Sequence, residues 1–127
     1  TIELSNDDDI VIVDDDDSIH QIWKGRYQSM MLDSTRTRVF HFYNRTQFEG
    51  WIEKNRFCKP LYLIDYELLG SPETGLDIIQ ANGLQERVVL VTSRYEESSI
   101  CERCEKLKIK LLPKDMASFV PIKFIYE

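Results

Sequence analysis

Only three cysteines, Cys58, Cys101 and Cys104, occur in the 127 residues. That number is too small and too odd for a disulfide framework, and a reduced, cytoplasmic setting fits it. Glycine and proline are also scarce, at five and four, and no low-complexity linker or internal repeat divides the chain. No apolar run approaches the ~20 residues that span a bilayer. No basic segment followed by an apolar one marks a signal peptide at the start. Lys and Arg are missing altogether from residues 1–17, which hold eight acids: Glu3, Asp7, Asp8, Asp9 and Asp14 through Asp17. The net charge of −6 is therefore local, because residues 18–127 hold 14 acids against 16 bases. A chain without cation excess is a poor ligand for a nucleic-acid backbone.

What is present is a composition for one compact domain. Apolar residues make up 43% and charged residues 30%, enough to bury a core. The expected organisation is a single domain over 1–127 with residues 1–9 as an acidic lead-in, and Asp7–Asp9 solvated. Because residue 1 is Thr rather than Met, an excised piece of a longer chain is also expected.

Four short apolar runs stand out: Ile10–Val13, Leu61–Ile64, Val88–Val91 and Ile109–Leu112. Nearly continuous, β-branched runs of this length suit strands buried on both faces of a parallel sheet. Arg38–Tyr43 is a fifth candidate. Between them, apolar residues recur at helical spacing over Ser18–Met31, Gln47–Lys54, Gly75–Ala81 and Glu96–Leu107. This alternation predicts βαβ units and a three-layer α/β sandwich. Met116–Val120 begins a fifth helix that Pro121 cuts short.

Polar residues follow each buried run: Asp14-Asp15, Asp65, Thr92-Ser93 and Pro113-Lys114. In an open parallel sheet these positions share the carboxyl edge, where ligands bind at the topological switch point. A flavodoxin-like strand order 2-1-3-4-5 makes Asp14, Asp15 and Asp65 converge. Each pair of such carboxylates at ~5 Å repels by roughly 3 kcal/mol at an effective dielectric of ~20. A hard divalent cation relieves this, and oxygen ligands suit Mg²⁺. A carboxylate beside Mg²⁺ can attack a phosphoryl group, with Lys114 as counter-charge and the Thr92 hydroxyl as donor.

With these residues in place, the chain resembles the receiver domain of two-component response regulators and hybrid sensor histidine kinases over nearly its whole length. The motifs are Ile10–Asp15, Leu63-Ile64-Asp65, Leu90–Ser93 and Leu112-Pro113-Lys114. The resemblance implies a flavodoxin-like (CheY-like) fold and a Mg²⁺-dependent phosphoacceptor that catalyses its own phosphorylation. Asp65 takes the phosphoryl group from the phosphohistidine of a sensor kinase, in trans or on the same polypeptide. Asp15 ligates Mg²⁺ directly, Asp14 mostly through water, and the Glu67 carbonyl completes the shell. Lys114 bridges to the phosphoryl group and Thr92 moves inward, altering a partner-binding face. Glu67 and Arg94 occupy positions that tune phosphoryl lifetime. The chain departs from the family pattern at four places. Gly75 follows Asp65 by ten residues rather than eight, Pro113 precedes Lys114, Leu111 replaces an aromatic residue, and the fifth helix is short. These departures motivate the alternative of a phosphorylation-independent interaction module. A haloacid-dehalogenase-type phosphatase is disfavoured, since Asp65 is followed by Tyr66-Glu67 on the third strand rather than by Asp-x-Asp on the first.

The remaining polar and aromatic signals have plainer readings. Cys101 and Cys104 lie within a helix and are expected to pack, as are His20 and His41. Arg103, Lys106, Lys108 and Lys110 form a solvated basic face. Trp23, Tyr27, Phe48 and Trp51 are core aromatics. One of Asp16, Asp17 and Ser18 caps the first helix.

Overall fold

The computed structural model describes residues 2–5, 8–29 and 37–125. Its strands are β1 (Ile2–Ser5), β2 (Ile10–Val13), β3 (Val39–Phe42), β4 (Leu61–Asp65), β5 (Val88–Thr92), β6 (Lys110–Pro113) and β7 (Ile122–Ile125). Its helices are α1 (Asp17–Ser29), α2 (Arg45–Lys54), α3 (Gly75–Asn82) and α4 (Ser98–Leu107). Five strands make a wholly parallel sheet in the order β3-β2-β4-β5-β6. Counted along the five, this is the expected 2-1-3-4-5 order, with its switch point between β2 and β4. The expected helix over Ser18–Met31 is seen as far as Ser29, and Met30 and Met31 lie outside the described residues.

Strand alternation sorts the core into two layers. Ile10, Ile12, Leu61, Leu63, Val89, Val91 and Leu112 face Ile19, Trp23 and Tyr27 of α1. Val11, Val13, Tyr62, Ile64, Val88 and Leu90 face Phe48 of α2, Leu76, Ile78 and Ile79 of α3, and Ile100 and Cys104 of α4. Both faces of β2, β4 and β5 are thus buried, which is why those strands read as unbroken hydrophobe. α3 opens on a reciprocal cap between Thr74 and Asp77 and closes at Gly83 with φ +65°, the left-handed conformation that glycine accepts freely.

Two expectations fail at the ends of the chain. There is no fifth helix among the described residues: Lys114–Met116 makes a single 3₁₀ turn and the chain then forms β7. Nor do the described residues of the expected acidic lead-in, 2–5 and 8–9, stand apart from the fold. β1 pairs in parallel with β7, from Ile2↔Ile122 to Ser5↔Ile125, and Ile2 and Leu4 are buried in the α1-side core with Ala117 and Val120. A two-stranded ladder therefore shares that face of the sheet with α1. Asp8 is held by Arg87 at 2.7 Å and Asp9 by Arg38 at 2.8 Å, while Asp7 lies outside the described residues. The alternation Ile2-Glu3-Leu4 was the available strand signal, but four residues beside an acid run carry little periodicity.

Leu4 is 1% exposed. Leu4→Ala is expected to cost about 2–5 kcal/mol in urea unfolding; an unchanged midpoint would show that β1 is dispensable.

Candidate functional site

The carboxyl edge of the sheet gathers the polar residues singled out in the sequence. Asp14 follows β2, Asp65 ends β4, Thr92 ends β5 and Lys114 follows β6. Carboxylate oxygens of Asp14, Asp15 and Asp65 lie within 4.8 Å of one another. Asp14 and Asp65 are 1% and 4% exposed. Lys114 Nζ sits 3.2 Å from Asp14 Oδ2 and 3.4 Å from Asp65 Oδ2. It donates a hydrogen bond to Asp14 Oδ1 at 3.4 Å, which leaves Asp14 Oδ2 charge-paired but without a hydrogen bond.

These groups perturb one another. Burial, reinforced by the Asp14 charge, pushes the Asp65 carboxyl up to about 7 against the opposing pull of Lys114. Burial also raises Asp14, although the Asp16 N–H and Lys114 favour its anion. Burial works against the Lys114 ammonium, yet the Asp65 and Asp14 carboxylates hold its pKa above the ordinary lysine value. Two buried acids and one half-buried base carry an excess of negative charge, a setting in which a bound cation gains most. Three hard oxygen donors in one cluster fit Mg²⁺.

Local hydrogen bonds fix the frame. Asp16, not Asp17 or Ser18, caps α1, accepting from Ser18 N at 2.9 Å. Asp15 Oδ2 accepts from Leu69 N at 3.0 Å, tying the loop after β2 to the loop after β4. Thr92 is buried, and its Oγ1 accepts from Arg94 N at 2.9 Å. The Glu67 side chain does not join the carboxylate cluster. It pairs with Arg94 at 3.2 Å, and Arg94 also binds Glu97 at 2.6 Å and lies over the Tyr66 ring. This acid–base–acid bridge links the β4–α3 and β5–α4 connections. Gly75 packs against the end of β4: its N–H donates to Tyr66 O at 2.8 Å, and a Cβ there would stand 2.0 Å from the Asp65 carbonyl oxygen. Glycine is thus required at the start of α3, even though the loop before it is long.

The other candidate residues lie away from this cluster. Cys104 is buried in the core and Cys101 is half-buried, its thiol donating to Tyr95 O. Arg103 is engaged with Asp77 and Gln80, while Lys106, Lys108 and Lys110 are exposed. A concavity of about 630 Å³ lies toward the opposite edge of the sheet between α2 and α3, lined by Ile52, Arg56, Cys58, Tyr62 and Leu84 among others. It contains none of the clustered carboxylates. Sequence reasoning missed one feature near the site: His20 and His41 are hydrogen-bonded to each other, and His20 also to the backbone of Asp14. No spacing rule joins residues 21 apart on a helix and a strand.

The raised Asp65 pKa sets a pH dependence. A carboxyl whose folded pKa exceeds its unfolded value favours folding when protonated, so that contribution is lost as pH rises from 3.8 to about 7. Metal-free protein is expected to lose on the order of 2–4 kcal/mol over this window from this group. Asp65→Asn should remove most of the loss, so its advantage over the wild type grows from pH 5 to pH 8 in urea titrations; a pH-independent difference would contradict the assignment. Gly75→Ala is expected to destabilise by about 1–3 kcal/mol through overpacking against Asp65, read as a lowered unfolding midpoint.

No family model and no curated protein matches the sequence. Solved structures do match. The RcsB response regulator of Salmonella typhimurium superposes with a TM-score of 0.65 at 17% identity, covering 90% of this chain and 55% of that one. The isolated REC domain of RcsB from Salmonella enterica serovar Typhimurium, in the presence of the phosphomimetic BeF₃⁻, gives 0.65 at 16% identity, covering 86% and 78%. The chain thus spans about half of the first protein and most of the isolated domain. Sheet order, helix placement and these superpositions agree: the chain has the fold of response-regulator receiver domains.

Proposed function

We propose that residues 1–127 form a receiver domain that accepts a phosphoryl group on Asp65 in a Mg²⁺-dependent reaction, with a sensor histidine kinase as donor. The observation that supports this best is the meeting of Asp14, Asp15 and Asp65 with Lys114 at the switch-point edge. An Asp65 oxygen attacks phosphorus as the P–N bond to the donor imidazole breaks, and the imidazole leaves with the bonding electron pair and takes up a proton. Asp14, Asp15 and Asp65, with the Glu67 carbonyl, would hold Mg²⁺, which supplies Lewis-acid neutralisation of the phosphoryl oxygens when bound. Lys114 contributes a point charge to the same oxygens. The Thr92 hydroxyl, now an acceptor from Arg94 N, still has its proton to donate to a phosphoryl oxygen. Asp65 must be ionised to attack, and its pKa of about 7 makes a neighbouring cation the condition for full ionisation at neutral pH.

A second reading keeps the fold as a phosphorylation-independent interaction module. It is favoured by Leu111, partly buried against α4-side core residues, in place of an aromatic switch, and by Pro113 before Lys114.

Intact mass after incubation with acetyl phosphate separates the two. One added phosphoryl group is expected with Mg²⁺, and none without Mg²⁺ or in Asp65→Asn; Lys114→Gln should slow its appearance at least ~10-fold, the loss of one charge-stabilising donor. If neither acetyl phosphate nor beryllofluoride with Mg²⁺ modifies or binds the wild type, the interaction module is the correct reading.

A further inference from the structure

Asp14 sits at the turn from β2 into α1, and nearly all its polar atoms are committed. Its N–H donates to Phe42 O at 3.1 Å. Its Oδ1 accepts from Asp16 N at 2.8 Å and from Lys114. Its carbonyl oxygen lies 2.7 Å from His20 Nε2. Only Oδ2 is left without a hydrogen bond, 3.2 Å from Lys114 Nζ. The backbone of this acid is therefore gripped from both sides, by β3 and by α1, and the oxygen that remains is a ligand atom of the carboxylate cluster.

His20 is the unusual member of this grip, because it is 0% exposed. A carbonyl oxygen can only accept, so Nε2 of His20 must carry a proton. In a neutral ring Nδ1 is then bare, and it lies 2.8 Å from Nδ1 of His41. That nitrogen must in turn be the protonated one of His41. The His20 ring is also packed on Tyr43 at 4.1 Å between centroids, and the Tyr43 hydroxyl donates to Asp17 at 2.8 Å. For the neutral pair, both proton positions follow from one fixed carbonyl.

We propose that His20 is a positioning residue for the acidic pocket: its Nε2–H pins the Asp14 carbonyl, and His41 locks the tautomer that allows it to do so. The role rests on the phosphoacceptor reading of that pocket. It joins β3 to the metal-binding turn without contacting the metal or the phosphoryl group. A hydrogen-bond partner standing behind a metal ligand typically accounts for about 10–100-fold in metal affinity.

The first test is nitrogen-15 NMR of the imidazoles near neutral pH. Protons are expected on His20 Nε2 and His41 Nδ1, with a scalar coupling across the Nδ1–H···Nδ1 bond; a proton on His20 Nδ1 would overturn the lock. The second is calorimetric titration with Mg²⁺ alone. His20→Leu is expected to bind Mg²⁺ about tenfold more weakly, while His20→Gln, whose amide can donate to the same carbonyl, stays near the wild type. His41→Phe, which frees the tautomer, should weaken binding in the same direction and keeps the test open if His20→Leu does not fold. A folded His20→Leu protein with wild-type Mg²⁺ affinity would refute the role. A wild-type protein that binds no Mg²⁺ would instead overturn the functional reading, and the nitrogen coupling would still report on the histidine pair.

Discussion

Placing three carboxylates, two of them buried, and one ammonium at the same sheet edge is the constraint around which the molecule is arranged. Asp14 and Asp65 repel each other and are both poorly hydrated, and Lys114 compensates only part of their charge. Such a cluster persists only if the backbone holds it there. The sheet does so through β2 and β4, which are neighbours in space although α1, β3 and α2 lie between them along the chain. Their burial on both faces stabilises the platform, Gly75 lets α3 approach the end of β4 closely, and the Asp15 carboxylate ties two of the loops together.

The central sheet and the acidic edge were legible in the sequence because both depend on strong local signals. Ile10–Val13, Leu61–Ile64 and Val88–Val91 are unbroken apolar runs, and each ends on a residue whose chemistry has no place in a core. Once the runs are parallel strands, the convergence of Asp14, Asp65, Thr92 and Lys114 follows from topology. What escaped depends on pairing at a distance. Ile2–Ser5 holds only two apolar residues rather than an unbroken run, and its partner β7 lies at the other end of the chain. The His20–His41 contact joins a helix to a strand, so neither histidine announces it alone. The segment after Lys114 has some apolar residues at helical spacing, but Pro121 and the demand for a partner along β1 turn it into an extended strand instead.

The α1-side layer shows how one cover can replace another. A helix satisfies its own backbone, whereas a single strand cannot. Because the chain after Val120 is extended, its backbone groups need a neighbour, and β1 provides one. The same pairing delivers Ile2 and Leu4 to the core beside Trp23 and Tyr27. Two consequences of sequence, a proline at 121 and an alternating start, are thus linked through one ladder.

That ladder also determines how the domain bears load. β1 and β7 run in the same direction, with Ile2 opposite Ile122 and Ser5 opposite Ile125. Tension applied between Ile2 and Ile125 pulls the two strands past each other along their length rather than peeling them apart from one end. Their hydrogen bonds then resist together, in shear, and not one after another. Within a longer polypeptide, a force drawn through the two ends would meet this clamp before it reached the acidic edge.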